Sequence, residues 1–220
     1  MAKHGESKHF KRTVVTGALV IPRKKYKYFV RQYPGKHRNK DSVALSALLR
    51  DVMKIVDNAK EARFLIKNGY VTVDGRTVKE EKFGVGFGDL IGVKGDRFEI
   101  SVNDRGKITV VEDKRDGSLK LVKIVSKLKG RGGNTVLFTN DGRNMIQEGG
   151  KGQIGDSALL NVLTGKIDRV IPLEQGAEIF IFTGKNAGKR GKVVEISGDS
   201  VVLESKEGKF VSTQASCMAV

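Results

Sequence analysis

The side chains able to support catalysis are few and poorly placed for it. The three histidines, His4, His9 and His37, all precede residue 38, and the single cysteine, Cys217, lies near the end. Residues 38–220 therefore cannot assemble a Ser-His-Asp or Cys-His centre, or an H-E-x-x-H zinc site. One cysteine excludes an internal disulfide framework and a cysteine-based metal site, and it fits a reducing, cytosolic compartment. Only carboxylate or lysine chemistry is left open. The abundant chemistry is of another kind. Lys and Arg number 41 against 25 Asp and Glu in 220 residues, a net charge of +16. Cations in such excess suit phosphates, and each phosphate neutralised releases a counterion.

The excess is concentrated. Residues 1–40 carry twelve Lys or Arg against one acid, Glu6, and hold three of the four tyrosines, Tyr26, Tyr28 and Tyr33. A segment so charged is expected to bury too little apolar surface to offset its ordering entropy, and to become structured only on a polyanion. Residues 41–93 and 171–220 are each neutral, while residues 94–170 carry +5. The body must therefore present its cations on segregated faces or loops. No apolar run approaches the roughly 18–20 residues of a membrane span. The basic N-terminus lacks the apolar core and cleavage site of a secretory signal, and it is not the Ser/Arg-rich amphipath of a mitochondrial presequence.

The elements that must position these cations follow from periodicity. Ser42 is a plausible N-cap for a helix whose apolar face is Leu45, Leu48, Leu49, Val52, Ile55 and Val56, with Arg50 and Lys54 turned away from it. Asn58 can cap a second helix with an apolar stripe of Ala62, Leu65 and Ile66. Lys60, Arg63 and Lys67 form its basic stripe, and Gly69 ends it. Tyr70–Val73 alternates as a strand, and Asp74-Gly75 predicts a hairpin turn. From Lys94 to Arg169 short apolar runs alternate with turn signals, so a small barrel or twisted sheet is expected. Lys120, Lys123, Lys127, Lys129 and Arg131 cluster there without an acid. They suit an RNA face about as well as charges alternating outward from a strand. Near the end, Ile179–Phe182 and Val193–Ile196 read as strands around the loop 183–192, which holds Lys185, Lys189, Arg190 and Lys192. Its glycines would let amide groups approach phosphates beside the cations. The spacing is not that of a Walker loop, because Arg190 occupies the lysine's place and Gly191 that of the Ser or Thr. Gly84, Gly86 and Gly88 lack the strand-then-helix context of a dinucleotide loop.

Asn58–Arg63, Leu65-Ile66, Gly69 and Val71–Arg76 resemble the helix–helix–hairpin RNA-binding module named after ribosomal protein four, with Asp74 where Asn is more usual. The 183–192 loop between its strands is similar to the KOW motif. Lys8–Arg12, Pro34–His37, Leu49–Val52, Leu121–Ile124 and Asp141–Asn144 extend the likeness over nearly the whole chain. Together they resemble the archaeal and eukaryotic (e-type) small-subunit ribosomal protein four family, archaeal members most. The ending, Ser216–Val220, has no functional reading.

The resemblance implies an α+β chain in four parts. These are a basic rRNA-binding extension (1–40), the RNA-binding module (41–93), a central β domain (94–171) and a KOW small β-barrel (172–220). It also implies a structural, non-enzymatic role in the small ribosomal subunit. The partners would be rRNA and neighbouring ribosomal proteins, with no cofactor, membrane or small-molecule substrate. Expected RNA contacts in the extension are Lys3, Lys8, His9, Lys11, Arg12, Arg23, Lys24, Lys25, Lys27, Arg31, Lys36, His37 and Arg38, with the aromatics there stacking on bases or packing on the module. In the module they are Arg50, Lys54, Lys60, Arg63, Lys67 and Arg76, and beyond it Lys127, Lys129, Arg131, Lys185, Asn186, Lys189 and Arg190. Two alternatives share pieces of this pattern. An RNA-modifying enzyme would need a large α/β catalytic domain with an Asp, for which the two small β units leave no room. A KOW-containing transcription or translation factor would bind RNA transiently.

Overall fold

The computed structural model describes residues 10–15, 19–113, 118–130, 134–148, 152–205 and 208–220. Among them strands predominate. β1 (Ser42–Ala44) leads into α1, a single turn over Leu45–Ala47, and then a π-helical turn over Leu48–Val52. α2 spans Ala59–Lys67. The helix expected over 42–56 is thus short, and Ser42 is not its cap. β1 pairs antiparallel with β4 (Gly84–Gly86), and the Ser42 hydroxyl donates to the Arg38 carbonyl. The apolar spacing was real, since Leu45, Leu48 and Leu49 are fully buried. What the periodicity could not show was a strand partner forty residues downstream.

α2 forms as its sequence dictates. The Asn58 side chain accepts from the amides of Lys60 and Glu61 at 2.9 Å each. Glu61 reaches back to Asn58 Nδ2 (2.7 Å) and the Asp57 amide (3.1 Å), closing a reciprocal cap. Ala62, Leu65 and Ile66 face the core. β2 (Val71–Val73) and β3 (Arg76–Thr77) follow, and the turn between them is left-handed at both Asp74 (φ 50°) and Gly75 (φ 73°), the geometry an Asp-Gly hairpin prefers.

Three five-stranded antiparallel sheets make up the body. The first runs β3-β2-β5-β6-β7, with β5 Leu90–Val93, β6 Asp96–Val102 and β7 Ile108–Glu112. Lys94 and Gly95 form the β5–β6 turn, so this sheet takes strands from both sides of residue 93. The second runs β10-β9-β8-β11-β12, with β8 Leu119–Lys129, β9 Asn134–Thr139, β10 Asn144–Glu148, β11 Ser157–Asn161 and β12 Ile167–Ile171. The third runs β16-β15-β14-β13-β17, with β13 Glu178–Ile181, β14 Arg190–Ser197, β15 Ser200–Ser205, β16 Gly208–Thr213 and β17 Cys217–Ala219.

Residues 10–15 and 19–40 of the basic segment are not the unstructured tail their charge suggests. Val15, Leu19, Ile21 and Phe29 are buried with Leu45, Ile66 and Ile100 in one core. Lys11 bridges to Tyr28 and Leu19 to Ile108, and the Tyr33 amide donates to the Lys82 carbonyl. Each of those four apolar side chains contributes roughly 1.5–3 kcal/mol on burial. A charge count does not register that contribution, which works with the backbone pairings against the ordering entropy. Lys3, Lys8, His9 and Arg131 lie outside the described residues.

Candidate nucleic-acid interface

The structure sorts the expected cations into two populations, one spent inside the fold and one left on its surface. The internal population begins at Arg12, which is fully buried. Its Nη2 reaches both carboxylate oxygens of Asp51 at 2.7 Å, and its Nη1 donates to the Pro22 carbonyl at 2.9 Å. Arg50 Nη2 shares Asp51 Oδ2 at 2.7 Å. Burial pushes the Asp51 carboxyl up, but the guanidinium groups of Arg50 and Arg12 outweigh it and hold the group below the usual carboxylate range. Arg12 therefore fastens the basic segment to the π-helical turn and cannot touch RNA. Arg50 is committed to the same carboxylate and only slightly exposed.

A larger cluster joins three parts of the chain. Asp74 from the β2–β3 turn, Asp89 from the turn before β5 and Asp141 from the β9–β10 turn are all buried. Lys120, on β8, places Nζ 2.7 Å from Asp89, and 3.1 Å from both Asp74 and Asp141. Lys36 reaches Asp74 at 2.6 Å and Asp89 at 2.8 Å. Arg143 pairs with Asp74 (2.9 Å) and Asp141 (3.2 Å), and His37 Nε2 donates to Asp89 Oδ2 at 2.8 Å. The His37 ring covers Gly86, where a Cβ would stand 2.7 Å from it, so only glycine admits that approach. The Gly86 and Leu90 amides donate to Asp89 and Asp74. Burial raises all three carboxyls, yet the adjoining ammonium of Lys120 and its companion cations reverse this and hold them below their ordinary values. Burial likewise disfavours the Lys120 ammonium, but Asp89, Asp74 and Asp141 overcome it and push its pKa above the ordinary lysine value. Lys36 and His37 are thus tethers within the fold.

The strand cluster divides in the same way. Lys123 is buried and donates to the main-chain carbonyls of Gln214 and Cys217, the latter at 2.7 Å. With no carboxylate against it, burial lowers its pKa to about 8. Lys120 and Lys123 lie on opposite faces of β8, so the first half of the strand is covered on both sides and these two cations are neither an RNA face nor a solvated one. Lys127 is half-buried and donates to the Gly152 carbonyl, while Lys129 is exposed.

The loop 183–189 is also less open than its glycines imply. The amides of Ala187, Gly188 and Lys189 donate to the carbonyls of Gly184, Ile181 and Asn186. A Cβ on Gly188 would stand 1.9 Å from the Asn103 carbonyl oxygen, so this glycine lets the loop seat on the β6–β7 turn rather than on a phosphate. Phe180 and Phe182 stack on Phe87 beside it. Asn186 bonds the Val211 carbonyl, and Lys189 lies over the Phe210 ring.

The surface population consists of Lys11, Arg23, Lys24, Lys25, Lys27, Arg31 and Arg38 in the basic segment, Lys54, Lys60, Arg63 and Lys67 around α2, and Arg76, Lys129, Lys185 and Arg190 elsewhere. Arg63 is paired with Glu81 at 2.7 Å, an exposed contact worth little. Exposed tyrosines interleave the cations, with Lys25 over Tyr26, Lys27 over Tyr28 and Lys82 over Tyr33. Sequence reasoning missed the buried acids and, with them, the internal duty of Lys36, His37 and Lys120. The one available sign was Asp74, placed where a turn would accept Asn equally well.

Surface cations with interleaved aromatics on a small α+β scaffold define an RNA-binding class of protein, and residues 49–91 match the S4 domain. Residues 94–167 match the model described as Ribosomal family S4e. The small ribosomal subunit protein eS4 of Thermoplasma acidophilum is 35% identical over 199 residues, covering 90% of this chain and 82% of that protein. That of Methanocaldococcus jannaschii is 34% identical, covering 97% of this chain and 93% of its own length. The crystal structure of the 30S ribosomal protein S4e from Thermoplasma acidophilum superimposes with a TM-score of 0.72 at 31% identity, covering 82% of this chain and 95% of that one. The chain belongs to the ribosomal family S4e.

Proposed function

We propose that this chain is a structural, non-catalytic constituent of the small ribosomal subunit in the cytoplasm, bound to rRNA and to neighbouring ribosomal proteins. The reading is carried by the near full-length likeness to proteins named small ribosomal subunit protein eS4. The contacts are phosphate-dominated and recognise RNA shape. They are made by Lys11, Arg23, Lys24, Lys25, Lys27, Arg31 and Arg38 of the extension, by Lys54, Lys60, Arg63 and Lys67 of the module, and by Arg76, Lys129, Lys185 and Arg190. The extension (1–40), module (41–93), central β unit (94–171) and C-terminal unit (172–220) act together. The last is read as a small KOW barrel because β13 and β14 flank its Gly-Lys loop.

Sedimenting a lysate through high salt tests the role. A structural component stays with the small subunit. Release into the ribosome-free fraction would instead indicate a transcription or translation factor that binds RNA transiently.

A further inference from the structure

One surface feature is not absorbed by phosphate contacts. Between the segment after the π-helical turn and α2 lies an open groove of about 530 Å³. Its floor is Ile55, Val56, Phe64 and Leu65, and Lys60 and Lys94 stand at its rim. Phe64 is 64% exposed and Ile55 41% exposed, although both lie among residues that fold into the module. Phe64 occupies an outward position on α2, while Ala62, Leu65 and Ile66 supply its core face. An aromatic ring left in water on a helix that is already anchored adds nothing to folding.

The rim supports a ligand of one charge. Lys60 and Lys94 are exposed, and the adjoining acid, Glu61, has its carboxylate engaged by Asn58 Nδ2 and the Asp57 amide in the helix cap. Lys94 is one of the three described non-glycine residues with left-handed backbone, at φ 51°. Gly or Asn would hold that position at lower cost, and lysine there places a cation at the groove against that preference. An apolar floor with an aromatic face and a cationic rim is complementary to a nucleobase with its flanking phosphates. It suits an uncharged peptide side chain poorly.

We infer that this groove holds a single unpaired RNA nucleotide, its base against Phe64 and Ile55 and its flanking phosphates on Lys60 and Lys94. The inference rests on the rRNA-binding reading and names a single-stranded element within it. Bases splayed from loops and bulges are what aromatic side chains stack upon in RNA recognition, whereas a duplex offers only shape and phosphates.

The test uses the full chain and a small-subunit rRNA transcript, with affinity measured across a salt series. F64A should weaken binding about 5- to 150-fold at every salt concentration, the range for losing one stacked base, with an unchanged salt slope. F64W should retain binding. K60Q and K94Q should each reduce the slope by roughly 0.7–0.9. Because Phe64 is outside the core, circular dichroism and urea midpoints of F64A should match the unaltered chain. Wild-type affinity in F64A, or full retention by F64L, would overturn the inference and leave the rRNA-binding reading intact. No binding of the transcript by the unaltered chain would sink that reading first. A photo-crosslinking aromatic at position 64 in reconstituted subunits should attach to rRNA, and attachment to a protein would overturn the inference.

Discussion

Lys120→Met removes the cation at the centre of the buried cluster and leaves the strand otherwise apolar. Its Nζ lies within 3.1 Å of carboxylates on Asp74, Asp89 and Asp141. Without it, Asp89 keeps Lys36 and His37, Asp74 keeps Lys36 and Arg143, and Asp141 keeps the Arg143 guanidinium with hydrogen bonds from the Thr139 hydroxyl and the Arg143 amide. Breaking a buried pair from one side costs about 3–5 kcal/mol, because the buried negative charge it leaves behind stays desolvated with less positive charge to offset it. That is a large share of the roughly 5–15 kcal/mol that holds a domain together. At about 2–4 °C per kcal/mol for a chain of this size, Tm should fall by roughly 6–20 °C. Urea denaturation of K120M, D89N and the double variant, each at pH 7, checks the assignment. K120M/D89N should recover more than about 1 kcal/mol relative to the sum of the single effects, since the buried cluster then loses one negative charge along with the cation. Destabilisation of K120M below about 1 kcal/mol, or strict additivity in the double variant, would show that the cluster does not hold these three segments together.

Three further outcomes follow from the same geometry. Asp74, Asp89 and Asp141 have folded-state pKa values below their unfolded ones, so the stability they confer is fully present above about pH 4 and is lost as pH falls further. Acid titration of the urea midpoint should show this loss, and D89N should flatten it. Lys123 has its pKa lowered to about 8, so between about pH 8 and pH 10 the unfolded chain binds more protons and stability rises with pH. In a C217A background, which removes the opposing titration of the buried thiol, this rise should be on the order of 1–2 kcal/mol by pH 9.5 and vanish in K123M. Asn58→Ala removes the acceptor for two amides and should cost about 1 kcal/mol in urea denaturation, while Asn58→Asp should cost far less.

What could be read from the sequence was local. The Asn58 cap, the stripe of Ala62, Leu65 and Ile66, the Asp74-Gly75 turn, the succession of short strands between 94 and 169 and the strand through 179–181 depend on neighbouring residues and appear as expected. What could not be read was set by partners far along the chain. Ser42 became strand because Gly86 lies beside it. Arg12 lies inside because Asp51, thirty-nine residues on, meets it there. Lys120 and Lys123 looked like surface charges because alternation along β8 does not reveal that both faces of the first half of that strand are covered. The basic segment's charge density concealed Val15, Leu19, Ile21 and Phe29, four apolar residues spaced widely enough to escape any periodic pattern.

The central claim is that the surface cations hold RNA while the buried ones hold the fold. It is tested most directly by the slope of log affinity against log salt for the full chain on small-subunit rRNA, measured together with the urea midpoint. K24Q/K25Q/K27Q should lower the slope by about 2–3 and leave the midpoint unchanged. K120M, measured where it remains folded, should lower the midpoint and leave the slope unchanged. An unchanged slope in the triple variant, or a reduced slope in folded K120M, would contradict the account.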